Sequence, residues 1–256
     1  MTFSAERQVL AAWEDGLRLT GAARADALLA ATAPPAGSAA SAGSGAYAAT
    51  ADVEALPLGE REQRLLLLRR ALFGRDIDAV ASCPACGERH DVQLDVDTML
   101  AAAPAVPPQP TTVEHGGMTL TVRPLTRGDV AAAAVLPDAS AIAARLLECA
   151  VTATGHNGEV LDAAALDDAA RAVVAAALEE ASPFAELTVA LTCVQCGGAW
   201  SAAFDSGEFL WSEVNDWAQR ILRDVHALAS AYGWTEADVL ALGPWRRSAY
   251  RVLAGC

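Results

Sequence analysis

Four of the six cysteines stand in two pairs whose spacing suits metal binding. Cys83 and Cys86 form the motif CPAC-Gly, and Cys193 and Cys196 form CVQC-Gly, with 106 residues (87–192) between the pairs. Two thiolates at this spacing can hold one side of a metal ion, and a structural zinc site takes four such ligands. The pairs therefore predict one shared site for Zn²⁺, with iron as the other metal that four thiolates accept.

The sequence around each pair indicates a strand, a turn and a second strand. IDAVASC precedes the first pair, and HDVQLDV follows it with the alternating apolar residues of a half-buried strand. AELTVALTC and GAWSAAF repeat this arrangement around the second pair. The glycine after each pair tolerates the positive φ with which the chain leaves such a turn. A thioredoxin-like redox motif is the alternative, but it needs a strand-to-helix junction that these flanks do not provide.

A site with four sulfur ligands has no open coordination position, so we expect the metal to be structural. His90 lies four residues after Cys86 and is a further candidate ligand, but with four thiolates available we expect it on a strand surface. We expect Cys149 to be a thiol in a helix core and Cys256, the last residue, to be exposed.

No other pattern in the sequence indicates catalysis. The histidines are scattered, and the chain has no nucleophile elbow, phosphate-binding loop or dinucleotide fingerprint. The acidic pairs Asp167-Asp168 and Glu179-Glu180 are expected on solvated helix faces. The sequence therefore predicts a protein that is not an enzyme.

Charge and composition limit the partners. The chain has 256 residues, 53% of them apolar, and a net charge of −14. This acidic excess disfavours nucleic acid and anionic membranes as partners, since both attract clustered cations.

No apolar run approaches the roughly 18 residues of a membrane span, and charged residues interrupt any signal-peptide core near the start. We expect a cytoplasmic protein, free or built into a phage-tail-like particle, with no small-molecule substrate.

The expected fold class is α+β. A small antiparallel β zinc-ribbon core of two CxxC knuckles would carry a helical insertion and helical segments at the N- and C-terminal ends. The expected segments are an N-terminal helical segment (1–32), a low-complexity linker (33–55), a helix with the first knuckle (56–100), a Pro-rich linker (101–112), a hairpin and helical insertion (113–182), the second knuckle (183–206) and a C-terminal helical segment (207–256).

Apolar spacing and cap residues also predict individual elements. The long C-terminal helix should end at Gly233, a short helix should follow Thr235, and a final helix should begin at Pro244. Further helices are predicted over 4–31, 59–73, 138–154 and 162–181, and a hairpin that turns at Gly116-Gly117 is predicted over 113–125.

Aromatic residues and arginines concentrate near the carboxyl end of the chain. These residue types are enriched in protein-binding hot spots, but the same rings could fill the seam between the C-terminal helices, so both interpretations stay open. The candidate partner-binding residues are Trp211, Trp217, Tyr232, Trp234, Arg246, Arg247 and Tyr250.

Three stretches resemble a family encoded with contractile-tailed phages and phage-derived contractile injection systems. LPLGEREQRLLLLRRALFG with CPACGERHDVQLDV is similar to its amino-terminal half, and TLTVRPLTRGDV is similar to its middle hairpin. The segment from LTCVQCGGAW to YGWTE and PWRRSAY resembles its carboxy-terminal signature. Members look like baseplate-associated or tail-assembly proteins, some with zinc-ribbon cysteines, which map onto Cys83, Cys86, Cys193 and Cys196.

The resemblance implies a non-enzymatic structural or chaperone-like assembly protein, with baseplate or tail components of a contractile injection particle as partners. The alternative is a free-standing zinc-ribbon regulator that binds nucleic acid or another protein. A nucleic-acid regulator needs a basic face, which the net charge of −14 makes hard to build.

Overall fold

The computed structural model describes residues 3–32, 52–106 and 109–255, with side chains from Glu6 onward. Most of the expected linker over 33–55 and residues 107–108 of the expected Pro-rich linker lie outside the described residues.

Helices and strands alternate irregularly along the chain. The helices are α1 (Phe3–Gly16), α2 (Ala22–Thr32), α3 (Leu58–Phe73), α4 (Val96–Ala101), α5 (Arg127–Ala134), α6 (Ala139–Ala150), α7 (Asp168–Ala181), α8 (Ser206–Tyr232), α9 (Glu236–Leu240) and α10 (Pro244–Leu253). The strands are β1 (Asp76–Ser82), β2 (Arg89–Asp95), β3 (Thr111–His115), β4 (Met118–Val122), β5 (Val151–Gly155), β6 (Val160–Leu161), β7 (Thr188–Thr192) and β8 (Ala199–Ala203).

In the part of the chain that the structure describes, the strands form three antiparallel sheets. β1 pairs with β2, and β7 pairs with β8, so each cysteine motif lies at the tip of its own two-stranded hairpin. The chain between the hairpins forms a third sheet in the order β3-β4-β5-β6. The expected α+β class is confirmed, whereas a zinc ribbon as such stays a prediction.

The stretch predicted to be helical over 4–31 forms two helices and not one, because the chain turns back between α1 and α2, where Gly21 has a φ of +52°. Val9 of α1 and Leu28 of α2 are both buried in one core. In one continuous helix they would lie about 28 Å apart, at 1.5 Å per residue. Burial of both apolar stripes against the same neighbours therefore favours two helices.

The helix predicted over 138–154 is also partly wrong, since α6 ends at Ala150. Val151 and the residues after it form β5, which pairs with β4 and buries Val151 and Ala153. β-branched residues that alternate between buried and exposed positions suit a strand. The helix predicted over 162–181 begins only at Asp168, after the side chain of Asp167 accepts a hydrogen bond from the backbone N–H of Ala170.

Other predicted boundaries are confirmed. The hairpin turns at Gly116 and Gly117, both with positive φ. α8 ends at Tyr232 with Gly233 as its C-cap, α9 starts after its N-cap Thr235, and Pro244 is the first residue of α10.

Among the described residues, apolar side chains gather in three clusters. The largest joins α1, α2, α3, α8 and α9. The second lies between the four-stranded sheet and α7, where Leu120, Val122 and Val174 are almost fully buried. The third lies beneath both cysteine hairpins. The inserted sheet therefore has a core of its own.

A buried ion pair connects the two ends of the described chain. Glu6 of α1 is 4% exposed and Arg247 of α10 is 1% exposed. Arg247 Nη2 donates to both carboxylate oxygens of Glu6, at 2.8 and 3.1 Å. The pair fixes α10 against α1.

We predict that Glu6→Ala lowers the free energy of unfolding by about 3–5 kcal/mol, because it leaves the Arg247 charge buried without a partner. Glu14→Ala, at an exposed position of the same helix, should change it by less than about 0.5 kcal/mol. Urea denaturation followed by circular dichroism measures the free energy of unfolding of both variants. Similar decreases in the two variants would contradict a stabilising role for the Glu6–Arg247 pair.

We also predict a pH-dependent contribution from Asp129, which caps α5 and accepts two hydrogen bonds from Arg123, at 2.8 and 3.0 Å. These bonds hold the pKa of Asp129 well below its usual range. Its contribution is therefore full above about pH 4, the unfolded value, and declines as the pH falls further. Asp129→Asn should cost about 1 kcal/mol at neutral pH, and less at pH 3.5. A pH-independent difference between the unfolding curves of the two proteins would refute this.

Candidate metal centre

The first cysteine turn is fixed by its own backbone. Cys83 N–H donates to the Glu88 carbonyl, and Gly87 N–H donates to the Cys83 carbonyl, both at 2.8 Å. Gly87 has a φ of +77°, a conformation that residues with a side chain rarely adopt. This geometry directs both sulfurs of the pair to one side of the turn.

The second turn repeats the first. Cys193 N–H donates to the Gly198 carbonyl, and Gly197 N–H donates to the Cys193 carbonyl, both at 2.9 Å. Gly197 has a φ of +73°. The backbone N–H of Cys196 also approaches the Cys193 sulfur at 3.5 Å. Two distant segments thus fold into the same knuckle.

The two knuckles face each other and bring all four sulfurs together. Cys83 Sγ lies 3.8 Å from Cys196 Sγ, and Cys86 Sγ lies 3.6 Å from Cys193 Sγ. All four atoms lie within 4.8 Å of one another. A tetrahedral ion with metal–sulfur bonds of about 2.3 Å requires sulfur separations of about 3.8 Å. The cluster could therefore hold a metal ion.

Burial differs within each pair in the same way. Cys83 and Cys193, the first cysteines, are buried, whereas Cys86 and Cys196 are exposed. Each of the two short sulfur contacts joins a buried cysteine of one knuckle to an exposed cysteine of the other. The two knuckles therefore contribute to the cluster in the same way. Because one cysteine of each pair is exposed, the cluster lies at the protein surface.

The pKa values show what a cation would contribute. The backbone N–H of Cys86 lowers the pKa of Cys83 to about 7, against the opposing effect of burial. The backbone N–H of Glu88 lowers the pKa of Cys86 as well, but partial desolvation and the three neighbouring sulfurs outweigh it and raise the pKa to about 12. Four thiolates at this distance repel one another, so a bound cation would favour their deprotonated forms.

An arginine holds the first hairpin against the helix that follows the second. Arg69 of α3 is buried and donates to both carboxylate oxygens of Glu213 in α8, at 2.9 and 2.8 Å. Its remaining bonds go to the carbonyls of Gly74, at 2.8 Å, and Asp76, at 2.6 Å, where β1 begins. These bonds connect the first knuckle to the element after the second.

The apolar cluster beneath the site joins the two hairpins. Ile77 of β1 packs with Leu66 of α3 and with Leu187, which directly precedes β7. Phe204 N–H donates to the Leu187 carbonyl at 2.8 Å, and this closes the base of the second hairpin. Both hairpins therefore stand on one core.

His90 lies on a strand, as predicted. It lies in β2 but is half-buried, and its ring is 5.7 Å from that of Trp200 in β8. Each of the two residues stands four positions after the second cysteine of its motif, and this shared offset is the signal that the sequence prediction missed. The cluster among the described residues that could hold a metal ion comprises the four cysteines without His90.

The other two cysteines lie outside the cluster. Cys149 lies in α6, as predicted, but it is half-buried and not part of a core cluster; burial raises its pKa. The expectation that Cys256 is exposed falls on a residue that is not described.

Three of the predicted partner-binding residues are largely buried. Trp211 and Trp217 are 5% and 9% exposed and belong to the helical core. Arg247 is paired with Glu6. For these three, packing between helices accounts for most of their burial, and a binding role stays a prediction.

The other predicted partner-binding residues lie at or near the surface. Tyr232 stacks on Trp234 at 4.7 Å, and Tyr250 meets Trp234 edge to face at 5.0 Å. Arg246 is exposed, as is the neighbouring Trp245, at 90%. Binding by Tyr232, Trp234, Arg246 and Tyr250 stays a prediction.

Within the described ranges, no helix is both long and apolar enough to cross a membrane. Comparison with the curated proteins and with the solved structures finds no match. A family model described as "T4 bacteriophage base plate protein" matches residues 44–211, more than half of the chain, and the matched region includes both cysteine motifs. The resemblance to a baseplate family is thereby confirmed, and the chain belongs to the T4 bacteriophage base plate protein family.

Proposed function

We propose that this protein is a non-enzymatic structural or assembly component of the baseplate of a contractile injection system or phage-tail-like particle. The family match over residues 44–211 carries the proposal. The surface that includes Tyr232, Trp234, Arg246 and Tyr250 would contact other baseplate or tail proteins. The protein would act in the particle or in the cytoplasm where the particle assembles.

The proposed metal is a structural Zn²⁺ held by Cys83, Cys86, Cys193 and Cys196. The sulfur separations of 3.6 and 3.8 Å support this, since they match the edges of a zinc–thiolate tetrahedron. Iron is the runner-up, because four thiolates also suit it. The ion would connect the middle of the chain to its last third and leave no coordination position for a substrate.

The distribution of charge supports a protein partner over nucleic acid. The net charge is −14, and several arginines are already occupied by carboxylates inside the fold, among them Arg61, Arg69 and Arg123. Nucleic-acid binding depends on cations that are free to displace phosphate counterions. A zinc-ribbon regulator that binds nucleic acid is therefore the less favoured function.

We predict about one zinc per chain in the purified protein, measured by mass spectrometry of the elements. Cys193→Ser should lower the zinc content well below one and reduce stability and solubility, because it removes one of four ligands. Cys149→Ser is the matched control, since it removes a half-buried thiol outside the cluster. A full metal equivalent and full stability in Cys193→Ser would contradict a shared site.

We predict that the tagged protein, expressed in cells that produce the particle, co-purifies with sheath, tube or baseplate proteins identified by mass spectrometry. Cys193→Ser should reduce this recovery, and Cys149→Ser should not. Purified intact particles distinguish the two roles, because a structural component stays in them and an assembly factor does not. Recovery of none of these proteins by the wild type would refute the proposal.

A further inference from the structure

A cleft of about 500 Å³ lies between α8 and α10, beside the start of α1. Four arginines line it: Arg220 and Arg223 from α8, and Arg247 and Arg251 from α10. The acidic residues in its lining are Glu6 and Asp224. An arginine-rich cleft is unexpected in a chain with a net charge of −14.

Both acidic groups are already paired. Glu6 binds Arg247, and Asp224 accepts a hydrogen bond from Arg251 Nη1 at 2.7 Å. In the part of the chain that the structure describes, Arg220 and Arg223 have no carboxylate partner; Arg223 Nε donates to the backbone carbonyl of Gln219. The lining therefore carries an excess of two positive charges.

Some arginine donors in the cleft also lack an acceptor. Arg247 is 1% exposed, and its Nε and Nη1 have no hydrogen-bond partner among the described residues. Arg251 Nε is likewise buried and without an acceptor. Buried donors are normally satisfied, and guanidinium groups bind carboxylate or phosphate oxygens with paired hydrogen bonds. The exposed arginines of the lining, Arg220 and Arg223, are the donors that an anionic ligand in the cleft can reach.

The surroundings of the arginines favour an anion that also has apolar parts. Trp217, Ile221 and Pro244 line the same cleft. Trp245 follows directly and is 90% exposed, with the exposed Arg246 beside it. Exposed aromatic residues and arginines are enriched at protein interfaces. A free inorganic anion would leave this apolar surface without a role.

We infer that the cleft between α8 and α10 binds a carboxylate-bearing segment of a partner protein, with the acidic side chains against the arginines and apolar side chains on Trp245. The inference rests on the proposed function, and it identifies the chemistry by which a baseplate or tail partner is recognised. Charge complementarity selects this occupant, since two exposed arginines without a carboxylate partner line the cleft.

The test uses a fluorescently labelled short peptide of Glu-Glu-Leu repeats, with a Gln-Gln-Leu peptide as its neutral counterpart. The wild-type full chain should bind the acidic peptide saturably in an anisotropy assay, more weakly as salt rises, and should not bind the neutral one. The double variant Arg220→Ala/Arg223→Ala should bind at least about tenfold more weakly. Both arginines are exposed, so circular dichroism should show an unchanged fold.

The matched control is Arg18→Ala/Arg89→Ala, which removes the same charge at two exposed positions outside the cleft. Its affinity for the peptide should stay within about twofold of the wild type. If both double variants lose peptide affinity equally, the net charge of the protein and not the cleft accounts for binding, and the inference is overturned. Absence of saturable binding by the wild type would overturn it as well.

Two other occupants have distinct outcomes. Inorganic phosphate that binds the cleft while the peptide does not would indicate a small-anion site, and concentration-dependent dimerisation lost in Arg220→Ala/Arg223→Ala would indicate a second copy of the chain. Either result overturns the inference.

If the double variant still recovers baseplate proteins from producing cells at the wild-type level, the inference fails and the proposed function stands. If the wild type recovers none of them, the proposed function fails whatever the peptide does.

Discussion

The convergence of four sulfurs from two hairpins is the constraint on which the rest of the structure depends. The chain between Cys86 and Cys193 must return to the first knuckle after 106 residues. Closing a loop of this length costs about 4–5 kcal/mol in chain entropy. Zinc binding in zinc-finger peptides contributes about 10–16 kcal/mol. The free energy of ion binding would therefore exceed the entropic cost of closing the loop. The ion would act at the one place where the two cysteine segments meet.

The fold lowers this cost before any metal binds. The inserted sheet and α7 have their own apolar core, so much of the intervening chain is already compact. Backbone hydrogen bonds from Leu58, Arg127 and Gly128 connect the segment before α3 to the start of α5. Arg69 and the cluster around Ile77 then align the two hairpins. Packing brings the knuckles near each other, and the sulfur cluster fixes their contact.

The local chemistry of the site could be predicted from the sequence, because a CxxC-Gly turn between strands depends on neighbouring residues alone. The helix ends at Gly233 and Thr235 were predictable for the same reason. Features decided by distant contacts could not be predicted: α6 gives way to β5 where Val151 pairs with β4, and Trp211 and Trp217 are buried by α1 and α2. The contact between His90 and Trp200 could be predicted only if it were known that the two hairpins face each other.

X-ray absorption spectroscopy of the zinc-loaded protein tests the central claim most directly, because it measures the ligand atoms around the metal. A single ion bridging the two knuckles predicts four sulfur neighbours at about 2.3 Å and no light-atom ligand. A first shell with two sulfurs and nitrogen or oxygen atoms would mean that the ion binds one knuckle alone. That result would contradict the account.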